Sequence, residues 1–337
     1  MSRLSHVGYC LCLAALFATG CKPPPQSPPP DASTTSSATP AEKRLRIAVI
    51  PKGTTHIFWK SVHYGAQKAA DELGVDIEWR GPQKEDDRDQ QISVVQSFVS
   101  KGVDGIVLAP LDSQALMRPV RDAKRAGIPV VIFDSALDNH DDIVSYVATD
   151  NLKGGALAAD AMAQALGGKG KVVLLRYNQG SESTLQREEG FLEELKKHEG
   201  IEVLSSDQYA GTTTEQALNK AQQMFNRYGE EIDGIFAVCE PNADGVLRAI
   251  EDGKRDKKIA FVGFDPSERL RQALAEDRMT AIILQDPVKM GYESIRAIVN
   301  HIRGQSVEKR VDTGQHVATP QNRTGEPINT LLDPPKA

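Results

Sequence analysis

Residues 46–79 read RIAVIPKGTTHIFWKSVHYGAQKAADELGVDIEW, and their pattern decides the fold. Ile47, Ala48, Val49 and Ile50 are apolar in succession, the pattern of a strand covered on both faces. Phe58, Val62, Ala66, Ala69, Ala70 and Leu73 then recur at helical spacing. Gly74 supplies a helix stop, and Asp76–Trp79 reads as the next strand. Strand, helix and strand in this order form a right-handed crossover within a parallel sheet.

The same alternation runs outward along the chain. Ile92, Val95, Phe98 and Val99 mark a second helix, followed by a strand at 105–108, a helix over 115–126 and a strand at 129–133. The pattern restarts after Asp150 with a helix over 152–166, a strand at 172–175 and a helix over 183–198. Strands at 203–206, 234–238, 259–263 and 280–284 then alternate with helices over 214–227, 243–252, 268–275 and 289–302. So many strands, with a restart near the middle, predict an α/β protein of two doubly wound parallel-sheet lobes. In such sheets ligands bind outside the carboxyl ends of the strands, so the residues just after strands are the candidates for chemistry.

The N-terminal segment sets the expected compartment. Residues 1–20 carry Arg3 and then an apolar run from Val7 to Phe17, the length of a signal-peptide core and too short for a membrane span. The run ends in Ala18-Thr19-Gly20-Cys21, which resembles a bacterial lipobox with Cys21 as the lipidated residue. Residues 21–44 form a Pro/Ser/Thr-rich tether with almost no large apolar side chain to build a core. Cys10 and Cys12 depart with the signal peptide, which leaves Cys239 as the single thiol of the folded body. One thiol makes neither an internal disulfide nor a metal cluster. The expectation is a periplasmic or cell-surface lipoprotein, anchored to a membrane without spanning it.

About 290 residues remain for the body, enough for two ordinary domains. Several of its segments resemble, in order and spacing, the periplasmic sugar-binding proteins of the ribose-binding type. The stretch from Ile47 to Gly74 is the first, and GVDGIVLAPLDSQAL, AGIPVVIFDS, YVATDNLKGG, ALGGKGKVVLL, REEGF, IDGIFAVCEPNADGVLRAI, FVGFD and ILQDPVKMG follow. The resemblance covers roughly residues 45–302. It implies a type I periplasmic binding fold, with two lobes joined by three crossover strands and one ligand between them. By that resemblance the N-terminal lobe is 45–148 plus 287–309, the C-terminal lobe is 149–286 plus 310–325, and 326–337 is a tail.

The post-strand residues then acquire candidate roles. Phe58 and Trp59 follow the first strand and offer aromatic faces to the C–H side of a sugar, although Phe58 also fits the core stripe of its helix. His56 stands where ribose binders carry an asparagine, and Lys52 resembles the lysine of the autoinducer-2 and rhamnose branches. Asp134 and Asp265 each end a strand; each carboxylate either accepts from sugar hydroxyls or caps the next helix. Asp150 and Asn151, at a crossover, carry the same two readings. Gln285 sits where a family glutamine contacts sugar. The chain departs from ribose binders at three places. Ser135 replaces an arginine, Leu185 aligns with a second arginine while Arg187 lies nearby, and Cys239 replaces an asparagine, followed by Pro241 and Asn242. Losing two guanidinium forks changes the donors offered to a ligand, which argues against ribose itself.

Other classes find little support. The net charge of −6 is spread along the chain without the basic stripe of a nucleic-acid binder. Gly167-Gly168-Lys169-Gly170-Lys171 lacks phosphate-loop spacing, and neither a G-x-S-x-G elbow nor an H-E-x-x-H helix occurs. Transcription regulators of the lactose-repressor type share the two-lobe core but need a helix-turn-helix where this chain has its tether. The expected function is capture of a small sugar-like ligand by a monomer. Its partners are the permease and ATPase of an ABC importer, and no cofactor or metal takes part. The alternative is presentation of sugar or autoinducer-2 to a membrane receptor.

Overall fold

Each apolar run of the body becomes a strand and each amphipathic run a helix laid against it. The computed structural model describes Gly20, residues 44–253 and residues 257–337. Residues 1–19 of the signal peptide, Cys21 and nearly all of the tether read from the sequence lie outside the described residues.

The first lobe opens with β1 (Arg46–Ile50), α1 (Ile57–Leu73), β2 (Asp76–Trp79), α2 (Arg88–Lys101) and β3 (Gly105–Leu108). It continues through α3 (Met117–Arg125), β4 (Val130–Phe133) and β5 (Ser145–Ala148). The second lobe follows with α4 (Asn151–Ala165), β6 (Lys169–Arg176), α5 (Glu182–Leu195), β7 (Gly200–Tyr209) and α6 (Thr214–Tyr228). After these come β8 (Gly234–Ala237), α7 (Glu240–Asp252), β9 (Ala260–Phe264), α8 (Glu268–Ala275) and β10 (Ala281–Gln285). The chain ends with α9 (Pro287–Ile302), β11 (Arg310–Asp312), β12 (Gln315–Ala318) and α10 (Ile328–Leu332).

The two sheets have matching orders, β2-β1-β3-β4-β5-β11 and β7-β6-β8-β9-β10-β12. Every pairing in the first is parallel, and only β12 runs antiparallel in the second. Apolar clusters cover both faces of each sheet, as the unbroken apolar strands require. The α/β fold of two doubly wound lobes is the one expected from the sequence. Glycines let the covering helices approach closely: a Cβ on Gly65 of α1 would lie 2.0 Å from the carbonyl oxygen of Val288. Likewise a Cβ on Gly155 of α4 would lie 2.1 Å from the carbonyl oxygen of Arg187, so this glycine lets α5 seat Arg187 close against α4.

Three crossings join the lobes: after β5, between β10 and α9, and between β11 and β12. The last differs from the sequence expectation. Residues 310–312 do not begin the second lobe; they pair with β5 at the edge of the first sheet, and the chain crosses at Thr313 and Gly314. Arg310 secures this edge by donating to the carbonyls of Ala148 (2.7 Å) and Thr149 (3.1 Å) while lying over the Tyr146 ring. The stretch 326–337 also differs from a simple tail. Within it α10 buries Leu331 and Leu332 in the second lobe's core, and Asp333 meets Arg271 of α8 at 2.9 Å.

Candidate ligand site between the lobes

The carboxyl ends of the strands in both sheets converge on one cavity of about 50 Å³. From the first lobe it is lined by Lys52, His56, Phe58, Trp59 and Asp134, all candidates from sequence. From the second come the candidates Arg187, Cys239, Pro241, Asp265 and Gln285. A larger groove of about 770 Å³ lies at the amino ends of β8, β9 and β10, bounded by Asp233, Lys258 and Thr280. That is the edge opposite the one where open α/β sheets bind ligands.

Asp134 follows β4 directly, and its carboxylate meets the ammonium of Lys52 at 3.0 Å. The same ammonium donates across the cleft to the hydroxyls of Ser183 (3.1 Å) and Ser181 (3.3 Å). Asp265 follows β9 and accepts from the Gln285 amide through both oxygens, at 3.0 and 3.1 Å. Burial pushes its pKa up to about 6, because the nearby Arg187 guanidinium, 3.7 Å away, and the Gln285 bond only partly offset desolvation. Arg187 lies 3.7 Å over the ring of Phe264 and donates to the carbonyl of Val238 (2.9 Å). It therefore enters the cavity as a fixed cation, whereas Leu185, two residues before it, is exposed.

Glu85 is a site residue that the sequence reading did not single out. It accepts from Trp59 Nε1 (2.6 Å), from His56 Nδ1 (2.9 Å) and from the hydroxyl of Tyr177 in the other lobe (2.7 Å). The His56 and Trp59 bonds and the His56 charge hold its carboxyl below the usual range against strong desolvation. Burial alone would push His56 down, but its bond to Glu85 and the surrounding carboxylates carry it up to about 9. Tyr177, Ser183, Thr184 and Glu240 also line the cavity without having been expected. Tyr177 was within reach of the strand-end rule, being the first residue after β6. Nothing in KEDDRD distinguishes Glu85 from the acids beside it.

Four expected site residues fall outside the cavity lining. Asp150 caps α4 by accepting from the Lys153 N–H (3.0 Å). Asn151 sits behind Arg187 and accepts from its Nε at 2.9 Å. Ser135 accepts from the Ser183 N–H (3.0 Å), so it ties the lobes together. Asn242 donates to the carbonyl of Gly211 (2.9 Å). Cys239 is buried at the start of α7, and burial pushes its thiol well above the usual range, which suits a packing role rather than reactivity. Away from the cavity, Asp160, Glu194 and His198 place three potential ligand atoms within 4.8 Å of one another. Glu194 there is already paired with Lys197 at 2.7 Å.

Residues 47–306 match the periplasmic binding protein domain, and the chain belongs to that family. It is 30% identical over 254 residues to the ribose import binding protein RbsB of Haemophilus influenzae, covering 75% of this chain and 84% of the relative. A carbohydrate transporter solute-binding protein from Agrobacterium radiobacter, solved with D-arabinose, superposes with a TM-score of 0.83 at 32% identity. That match covers 87% of this chain and all of the other. An ABC transporter solute-binding protein from Agrobacterium vitis, solved with D-fucose, gives 0.82 at 32% identity over 85% and 99% of the two chains. The fold is that of a type I periplasmic binding protein. The relatives are solute-binding proteins of sugar transport, and this chain is a binding protein of their kind, not an enzyme.

Proposed function

We propose that this protein captures a small neutral polyhydroxy ligand, such as a pentose, a deoxyhexose or a polyol, between its lobes. It then hands the ligand to the permease of an ABC importer while anchored to a membrane through lipid on Cys21. The observation that carries this reading is the paired arrangement of Asp134 and Asp265, one carboxylate from each lobe at one cavity. Carboxylates accept strongly from hydroxyls. Each also has its own cation, Lys52 at 3.0 Å and Arg187 at 3.7 Å, so the pair does not call for a charged ligand to neutralise it. Phe58 and Trp59 add the apolar surface that a sugar's C–H face requires.

The relatives named above bind ribose, D-arabinose and D-fucose by their descriptions, which sets the panel to test. Calorimetry and thermal shift with D-ribose, D-arabinose, D-fucose, xylitol and a charged control such as D-gluconate check the reading. At about 100 times the dissociation constant a ligand adds roughly 2.7 kcal/mol of stability. Binding of a neutral member is expected. Binding of the control alone would refute a neutral polyhydroxy ligand.

A further inference from the structure

Glu240 opens α7 immediately after Cys239, and its side chain reaches the cavity from the second lobe. Its Oε2 atom is sealed from solvent and has no hydrogen-bond partner among the described residues. A buried carboxyl oxygen without a partner is costly and uncommon in folded proteins. Gln285 Oε1, on the same cavity, is unpartnered in the same way, and the Gln285 side chain is almost wholly buried at 3% exposure. Two residues of the second lobe that line the cavity, Glu240 and Gln285, thus each carry a buried, unpartnered acceptor atom, and Asp134 and Asp265 line the same cavity. Glu240 also borders the groove beside Asp244 and Arg248.

We propose that Glu240 is a specificity-determining ligand contact whose carboxyl exchanges hydrogen bonds with a hydroxyl group of a neutral polyhydroxy ligand. This deepens the functional reading above and rests on it. The groups around Glu240 favour a carboxyl that keeps its proton. Asp244 stands one turn along α7, Asp265 ends β9, and Glu85 faces it from the first lobe; His56 and the cavity cations Lys52 and Arg187 oppose them. Burial outweighs the His56 charge and pushes Glu240 up to about 8. A protonated carboxyl offers one donor and one acceptor, which complements a hydroxyl. An ionised one would instead favour an ammonium, as in an amino sugar.

Calorimetry on the full body, Glu240→Ala and Glu240→Gln between pH 7 and 9 tests this. The probes are D-ribose, D-arabinose, D-fucose and, as the ammonium-bearing competitor, D-glucosamine. For the tightest neutral sugar, Glu240→Ala should lose about tenfold in affinity at pH 7. Glu240→Gln keeps a donor and an acceptor without a titrating proton, and should recover most of that loss. Wild-type affinity should fall as pH rises past 8, and the Gln variant should fall less. His56 and Glu240 act on each other's titration, so the comparison is repeated in a His56→Gln background, where the remaining difference between Glu240 and Glu240→Gln reports Glu240. Unfolding midpoints confirm that each variant is folded. Wild-type affinity in Glu240→Ala overturns the proposal, as does affinity that rises with pH or a preference for D-glucosamine. If neither the neutral sugars nor D-glucosamine bind the wild type, the sugar-binding reading itself has failed and this assignment falls with it.

Discussion

Asp134 and Asp265 occupy equivalent places in the two lobes and share an unusual backbone. Each directly follows the fourth strand counted from the outer edge of its sheet. Each has a left-handed φ, 62° and 66°, and each donates its N–H to the neighbouring strand, to Val147 at 3.0 Å and to Ile283 at 2.9 Å. Left-handed φ is uncommon outside glycine, and aspartate and asparagine tolerate it best. The turn swings each carboxylate off its strand end and into the cavity. Asp134→Asn and Asp265→Asn keep this backbone while removing the charge. Each should weaken binding of the best neutral sugar by about 1–3 kcal/mol, roughly tenfold to a hundredfold, in calorimetry. Unchanged affinity in both variants would sink the assigned site.

The chain has two tryptophans, and the structure separates them. Trp59 is 3% exposed, lines the cavity and donates to Glu85 at 2.6 Å, whereas Trp79 stacks on His63 with ring centroids 4.4 Å apart. Ligand should therefore change the emission of Trp79→Phe and leave that of Trp59→Phe unchanged. The reverse pattern would place the ligand elsewhere.

The His56–Glu85 pair makes stability depend on pH. His56 rises from 6.5 in the unfolded chain to about 9 in the fold, so between these values the folded state holds more protons. Its stabilisation, on the order of 3 kcal/mol by that shift, is complete below pH 6.5 and is lost as pH climbs through 9. Glu240, raised from 4.5 to about 8, pulls stability down over its own range as pH rises. Denaturant unfolding of the unliganded protein at pH 6.5 and pH 9 should show the decline, and His56→Gln should flatten it. An equal decline in the variant would remove His56 as its source.

Contacts across the cleft are polar and include Lys52 to Ser181 and Ser183, Tyr177 to Glu85, the Ser183 N–H to Ser135, the Ala136 N–H to Glu182 at 3.0 Å, and Arg88 to the carbonyl of Gln179 at 2.9 Å. Polar contacts of this kind can part in the unliganded protein and admit a sugar, and a sugar touching the lining residues of both lobes then takes over some of them. The ligand should then favour closure about the three crossings. Small-angle scattering should give a smaller radius of gyration with saturating sugar than without. An unchanged radius counts against hinge closure.

Anchoring is tested separately. Cys21→Ser should abolish lipid labelling and release the protein from the membrane fraction, since the sulfur is the proposed attachment atom. Labelling and fractionation equal to the wild type would refute the anchor.

Much of this protein was legible in its sequence because periodicity reports burial directly. Unbroken apolar runs such as Phe261–Phe264 must be covered on both faces, and the amphipathic stretches between them are what covers them. The strand-end rule then pointed to Asp134 and Asp265, and the family resemblance to Lys52. What periodicity does not carry is which strand a short polar stretch joins. Arg310–Asp312 is assigned to the second lobe from sequence, and it becomes the edge strand of the first because it pairs with the backbone of Tyr146–Ala148.

The sequence by itself therefore determined the two α/β lobes and the strand ends at which a site would form, since both follow from local pattern. Only the tertiary structure decided which side chains share that site. Asp150 and Asn151 sit at a crossover in sequence but turn to helix capping and to Arg187. Glu85 sits in a run of acids indistinguishable along the chain, yet it alone meets His56, Trp59 and Tyr177. Such selection depends on distances between residues that are remote in sequence, and these exist only once both sheets are packed and the lobes face each other.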